Sequence, residues 1–190
     1  IPAAGYRLTS KIYSIGEHSV YLSTAPLYHA APLMFSMRCL RYGATVVIME
    51  KFDAEQALRL IETHRVTHSQ WVPTMFVRML RLPEQTRLSA DLSSLRYVIH
   101  AAAPCPIEVK RRMIDWLGPI LWEYYGGSEG NGLTVLDCDE WLSHPGSVGS
   151  AKIGRIRICG ADGEELGVGG EGTVYFSDGP VFEYHNDPDK

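Results

Sequence analysis

Three kinds of segment are missing from this sequence, and each absence narrows what the protein can be. No run of lysine and arginine exceeds three residues and the net charge is -4, which argues against a nucleic-acid partner. No apolar stretch approaches the roughly 18 residues of a transmembrane helix, and no secretory signal peptide is visible. We therefore expect a globular cytoplasmic protein with no transmembrane segment.

Cysteine is scarce and scattered. Cys39, Cys105, Cys138 and Cys159 form no Cys-x-x-Cys pair. This spacing favours reduced, mostly buried thiols over a zinc site or a disulfide framework, in agreement with a cytoplasmic location.

Apolar runs alternate with helical patterns over residues 1–143. The predicted strands are 20–23, 44–49, 66–72, 95–99 and 120–125, and the predicted helices cover about 33–42, 53–64, 73–82 and 106–117. The run 44–49 is typical of a strand buried on both faces, and Asp53 with Gln56 predicts a capping box. Pro26 and Pro32 bracket a loop. Such alternation predicts an α/β fold, a mostly parallel sheet flanked by helices.

Tight turns replace helices after about residue 143. Apolar isoleucines and outward arginines predict one half-buried strand, formed by Ile153, Arg155, Ile156, Arg157 and Ile158. Asp162-Gly163 favours a hairpin turn, and 173–176 supplies a later strand. We therefore divide the chain into an α/β unit at 1–143 and a small antiparallel β unit, a partial barrel, at 144–190.

The strand at 120–125 runs into a glycine turn that carries a hydroxyl and a carboxylate. Gly126 and Gly127 allow a sharp bend and close approach of a ligand. Ser128 offers a hydroxyl, and Glu129 offers the hard oxygen that Mg²⁺ prefers. Because ligands in open α/β sheets bind at the carboxyl ends of strands, this turn is a candidate site.

Three stretches carry a family resemblance. The segment 125–129, Tyr-Gly-Gly-Ser-Glu, resembles the Tyr-Gly-x-Thr/Ser-Glu motif of the adenylate-forming enzymes, which include acyl-CoA synthetases, luciferases and peptide-synthetase adenylation domains. Residues 25–29 are similar to that family's Pro-x-x-His motif, and residues 100–104 to its small-residue adenine loop. The chain looks most like the middle of the N-terminal domain of a fatty acyl-CoA synthetase.

The resemblance implies a two-step ligation of a carboxylic, fatty acid to coenzyme A, with ATP and Mg²⁺. It implies Glu129 as metal ligand, Ser128 at the ATP α-phosphate and His29 at the acyl end, these three being the catalytic residues. It also implies an ATP-binding site made of Ala101, Ala102, Ala103, Tyr125, Gly126, Gly127 and Ser128, with Tyr125 and the three alanines around the adenine. Trp71, Val72 and Pro73 either line the acyl pocket with His29 or belong to the core.

Two other functions stay open. The segment 126–130 also fits Gly-x-Ser-x-Gly, the nucleophile elbow of α/β-hydrolases, with Asp178 and His185 in triad order. That elbow must lead into a helix, whereas 131–135 predicts a turn and a strand. Alternatively, the chain is an adenylation-like domain that binds without catalysis.

Several further residues are predicted to be structural. Lys110, Arg111 and Arg112 are expected on a solvated helix face, and His64 and His68 outside any metal site.

We expect the chain to be part of a longer protein, since the family's phosphate loop and catalytic lysine are not among these residues. The 190 residues alone should therefore be inactive, and the resemblance leaves a homodimer open.

Overall fold

A computed structural model describes residues 3–187. Its helices are α1 (Ala3–Tyr13), α2 (Ala30–Arg41), α3 (Ala54–His64), α4 (Pro73–Leu80), α5 (Glu84–Ser89), α6 (Ile107–Leu117) and α7 (Cys138–Ser143). Its strands are β1 (Val20–Ser23), β2 (Thr45–Ile48), β3 (His68–Trp71), β4 (Tyr97–His100), β5 (Leu121–Tyr125), β6 (Leu133–Leu136), β7 (Ser150–Ile153), β8 (Arg155–Cys159) and β9 (Thr173–Ser177).

Seven strands form one sheet in the order β2-β1-β3-β4-β5-β6-β7. The strands from β2 to β5 in that order are parallel, while β6 and β7 are antiparallel to their neighbours. Parallel neighbours require crossovers, and the helices between these strands supply them. The predicted α/β fold with a mostly parallel sheet is confirmed.

Helices cover both faces of this sheet. On one face α3, α4 and α6 bury a large core whose members include Leu58, Phe76 and Met113. On the other face α1 and α2 bury a smaller aromatic core around Tyr13 and Phe35. Successive strand residues point to opposite faces, so Val98 joins the first core and Ile99 the second.

The strands β8 and β9 form a separate antiparallel pair, which confirms the small second sheet. The single strand predicted across residues 153–158 is wrong, because Gly154 adopts φ +70° and separates β7 from β8. β7 pairs with β6 in the large sheet although it lies beyond residue 143. The division of the chain at 143/144 stays a prediction. The last residues of the second predicted unit, 188–190, lie outside the described residues.

Local expectations are corrected at two places. β2 is the edge strand and not a strand buried on both faces, and Ile48 is 54% exposed. Pro32 lies in the first turn of α2 and not in the preceding loop. The N–H that proline lacks has no partner in the first turn of a helix, so its absence costs no hydrogen bond.

The cap of α3 and the state of the cysteines agree better with the predictions. The carboxylate of Asp53 accepts a hydrogen bond from the backbone N–H of Gln56 at 2.8 Å and so begins α3, which is one half of the predicted capping box. Cys39, Cys138 and Cys159 are buried, and all four cysteines are free thiols. Among residues 3–187, no helix has the length and apolar character needed to cross a membrane.

Candidate functional site

The predicted site segments follow the carboxyl ends of four adjacent parallel strands. Register pairs Ser23 with Gln70, Trp71 with His100, and His100 with Glu123, so β1, β3, β4 and β5 end at one edge. The loop 24–29 follows β1, residues 72–73 follow β3, 101–103 follow β4, and 126–129 follow β5. At about 4.8 Å per strand, this edge spans roughly 14 Å from β1 to β5. The topology therefore brings the three resembling motifs together.

The turn after β5 leads back into the sheet. Gly130 adopts φ +72°, and the chain then enters β6, which pairs antiparallel with β5. A Cβ on Gly126 would lie 2.7 Å from the carbonyl oxygen of Gly132, so only glycine allows this close return. The residues directly after Ser128 form a turn that leads into β6, whereas the nucleophile elbow of a hydrolase requires a helix at this place.

Glu129 is held by two hydrogen bonds. The backbone N–H of Glu129 donates to the carboxylate and has the larger effect on its pKa. The hydroxyl of Tyr184 also donates to it, and both bonds lower the pKa of this group below its usual value. The Tyr184 oxygen lies 2.8 Å from Glu129 Oε1. A Cβ on Gly127 would come within 2.4 Å of Glu129 Oε2, so the glycine makes room for the charged group. Glu129 is thus an ionised carboxylate in an open turn.

Replacing Tyr184 with Phe should raise the pKa of the Glu129 carboxyl, because one of its two donors is lost. The pKa should stay below its usual value, since the backbone N–H remains. A ¹³C NMR titration of glutamate-labelled protein measures this, with the Glu129 signal assigned by its loss in Glu129→Gln. Tyr175→Phe, on β9, is the matched control. An unchanged titration in Tyr184→Phe would show that the hydroxyl does not act on the carboxylate.

Tyr125 ends β5 beside the small sheet. Its ring stacks on Phe176 of β9, with centroids 5.9 Å apart. Phe176 also packs over Gly132, where a Cβ would lie 1.9 Å from the ring. The small sheet therefore packs against the turn that carries Ser128 and Glu129. Neither Phe176 nor Tyr184 was predicted as a site residue, because each is distant in sequence from residues 125–129.

The loop after β4 is made of small residues in an uncommon backbone conformation. Ala101 is buried, while Ala102 and Ala103 are exposed. Ala102 adopts φ +76°, a left-handed conformation that costs an L-residue about 1–2 kcal/mol relative to glycine. The surrounding structure must hold this loop in place to keep that conformation.

The remaining predicted residues lie at the same edge with different exposure. His29 is exposed, precedes α2, and packs against Tyr28 with ring centroids 4.5 Å apart. Trp71 and Pro73 are buried, and Trp71 contacts Phe52 within the first core. Val72 is partly buried beside them. The core role of Trp71 is thus observed, while an acyl-binding role stays a prediction.

A buried charged cluster beneath this edge contradicts one expectation. Lys110 was expected on a solvated helix face, yet its side chain is fully buried and donates a 2.6 Å hydrogen bond to Glu123 Oε2. His100 Nε2 lies 3.5 Å from the same oxygen. The available signal was Glu123 itself, a carboxylate inside an apolar strand, which requires a buried partner.

Two shallow depressions lie away from the strand ends. One, of about 260 Å³, is bordered by α7 and β7, and the other, of about 280 Å³, by α3 and α4. Neither is lined by a predicted site residue. The strand-end edge is the better candidate site, because predicted site residues from four segments lie along it.

Comparison with known proteins agrees with this geometry. A family model described as AMP-binding enzyme matches residues 3–183. A feruloyl-CoA synthase of Amycolatopsis sp is 36% identical over 159 residues, 82% of this chain and 32% of that protein. 4-Coumarate–CoA ligase 1 of Oryza sativa subsp. japonica is 33% identical over 147 residues, 75% of this chain and 26% of that protein. A long-chain-fatty-acid–CoA ligase of Bacillus subtilis is 30% identical over 129 residues, 67% of this chain and 23% of that protein.

Solved structures share the fold. The amide bond synthetase McbA from Marinactinospora thermotolerans superposes with a TM-score of 0.77 at 25% identity, over 90% of this chain and 35% of that chain. ATP-bound MatB from Rhodopseudomonas palustris gives 0.76 at 26% identity, over 90% of this chain and 34% of that chain. The chain therefore spans about a third of the length of these proteins.

Proposed function

Because the chain belongs to the AMP-binding enzyme family, we propose that the full-length protein is an ATP-dependent acid–CoA ligase. The convergence of residues 24–29, 101–103 and 126–129 at one sheet edge supports this proposal most directly. The Amycolatopsis and Oryza relatives are named as a CoA synthase and a CoA ligase, which supports CoA as the acceptor.

Glu129 is proposed to hold Mg²⁺ and Ser128 to contact the ATP α-phosphate. An ionised carboxylate with a glycine beside it suits Mg²⁺, which commonly takes one or two carboxylates and completes its coordination with water and phosphate oxygens. When bound, the ion would offset the charge that develops on the departing pyrophosphate. Ser128 is exposed in the same turn and offers a hydroxyl donor.

The adenine base is proposed to lie between the Ala101–Ala103 loop and Tyr125, with Gly126 and Gly127 allowing close approach. Small side chains leave a flat surface for a planar ring, and an aromatic side chain can cover its other face. The exposed ring of Tyr125 and the left-handed Ala102 support this placement. His29 is proposed to contact the carboxylate end of the acid, with Trp71, Val72 and Pro73 toward its chain.

The proposed reaction has two displacements. A carboxylate oxygen of the acid attacks the α-phosphorus of ATP, the bond to the β-phosphate oxygen breaks, and pyrophosphate leaves with the electron pair. The CoA thiolate then attacks the acyl carbon, and AMP leaves. The residues of this chain act by binding and orienting ATP and the acid in line, which accounts for most of the catalysis of phosphoryl transfer.

The acid is proposed to be a fatty or an aryl carboxylic acid. The sequence resemblance suggested a fatty acid, whereas the relatives at 36% and 33% identity are named for feruloyl and 4-coumarate groups. The Bacillus subtilis relative is named for long-chain fatty acids. A homodimer and a cytoplasmic location stay expectations.

Acid-dependent ATP–pyrophosphate exchange tests the proposed function. The full-length protein should catalyse exchange with a series of fatty acids or with ferulate and 4-coumarate, and the 190-residue chain alone should not. Exchange by the 190 residues would contradict the expected inactivity of this piece. ATP binding without exchange for any acid would instead favour a non-catalytic adenylation-like domain.

A further inference from the structure

The buried cluster beneath the strand ends contains a short, well-defined ion pair. Lys110 Nζ donates to Glu123 Oε2 at 2.6 Å, with the lysine side chain 0% and the glutamate side chain 8% exposed. The ring of Trp141 lies 4.8 Å from the same ammonium group. Burial lowers the pKa of His100 to about 3, so Lys110 and not His100 balances the carboxylate.

Stability alone does not account for this pair. Removing two charges from water is costly, and replacing a buried pair with apolar residues of similar volume is often neutral or stabilising. A buried pair does, however, fix the distance and orientation of the two elements that carry it, because its hydrogen bond breaks when either side chain shifts. The place of the pair in the fold shows which elements these are.

The Lys110–Glu123 pair lies beside both ends of the small-residue loop. The loop begins directly after His100, which lies opposite Glu123 in the β4–β5 register. It ends where α6 begins, and Lys110 lies in the first turns of α6. Tyr125 lies two residues beyond Glu123 and points to the same face of the sheet. The Lys110–Glu123 hydrogen bond thus connects the start of α6, where the loop at 101–106 ends, with the strand that carries Tyr125.

We propose that Lys110 and Glu123 are positioning residues for nucleotide binding, which hold the loop at 101–106 at a set distance from Tyr125. The pair does not touch the nucleotide, and acts through the loop and the end of β5. The loop that the pair positions includes Ala102 in its left-handed conformation. The inference rests on the proposed function in taking this loop as the adenine site.

Three variants of the full-length protein test the proposal: Lys110→Met, Glu123→Gln and the double variant Lys110→Met/Glu123→Leu. Isothermal titration calorimetry gives the Kd for ATP, and thermal unfolding gives Tm. Lys110→Met leaves the buried Glu123 carboxylate without its donor, and Glu123→Gln leaves the buried Lys110 ammonium without its countercharge. Each single variant should lower Tm and raise the Kd for ATP by about tenfold or more. The double variant should regain most of the Tm but keep the raised Kd, because apolar packing does not replace the directional bond.

A stability-matched control is Leu58→Ala in α3, which removes buried side-chain volume from the same core away from the strand ends. It should lower Tm without changing the Kd for ATP. A double variant that regains the wild-type Kd together with Tm, or single variants with an unchanged Kd, would overturn the proposal.

The same titrations separate this inference from the proposed function. If the wild type binds ATP but catalyses no exchange with any acid, the ligase proposal fails while the Kd values still decide the role of the pair. If the wild type binds no ATP, both proposals fail.

Discussion

Replacing Glu129 with Gln is expected to lower the adenylation rate of the full-length protein by about a hundredfold or more. The variant keeps the shape of the side chain and its hydrogen bond from Tyr184 but loses the negative charge that a magnesium ion needs. ATP–pyrophosphate exchange at saturating acid measures the effect, because it reports the first displacement alone. Raising the Mg²⁺ concentration should recover only part of the loss.

The matched control for this variant is Glu171→Gln. Glu171 is an exposed carboxylate in the turn before β9, so its replacement makes the same change in net charge away from the strand ends. Exchange should remain within about twofold of wild type. Near-normal exchange by Glu129→Gln would remove Glu129 from the site and with it the proposed metal position.

Replacing Phe76 with Ala is expected to destabilise the folded protein by about 3–5 kcal/mol. Phe76 is 0% exposed and packs against Trp71 and His100, with ring centroids 6.2 and 5.3 Å away. The truncation leaves a cavity directly beneath the strand ends, where α4 covers the sheet. Thermal or denaturant unfolding of the full-length protein measures the loss.

Leu88→Ala is the control for this second variant. Leu88 lies on the short helix α5 and is 67% exposed, so its truncation should change stability by no more than about 0.5 kcal/mol. Equal losses in Phe76→Ala and Leu88→Ala would show that the core on this face of the sheet is not packed as described.

The order of the strands β1 to β5 and of the helices α2, α3, α4 and α6 was predictable because each of these elements carries its own local signal. The strands β1, β4 and β5 carry mostly apolar or aromatic residues and lie inside the sheet, where such runs are expected. β3 also lies inside the sheet, although His68, Ser69 and Gln70 are buried polar residues. The same argument failed for β2, which has an apolar run but lies at the edge. Whether a strand is central depends on the strand order, and no local pattern encodes that order.

The candidate site was predictable to the extent that it depends on strand ends. Parallel strands bring their following loops to one edge, so three motifs in register were enough to expect residues 24–29, 101–103 and 126–129 together. Lys110 was misplaced because its neighbours, Arg111 and Arg112, are exposed charges that suggest a solvated face. Its burial follows from Glu123, thirteen residues away, and appears only when α6 packs on β5.

The contact between Tyr184 and Glu129 connects the end of the described chain with the turn after β5. A cation that takes the Glu129 carboxylate would compete with the Tyr184 hydroxyl for the same oxygen atoms. By reciprocity, whatever pulls the C-terminal segment away would ease cation entry, and cation entry would loosen that segment. Through this tyrosine, metal binding at the turn would then affect the position of the residues that follow it.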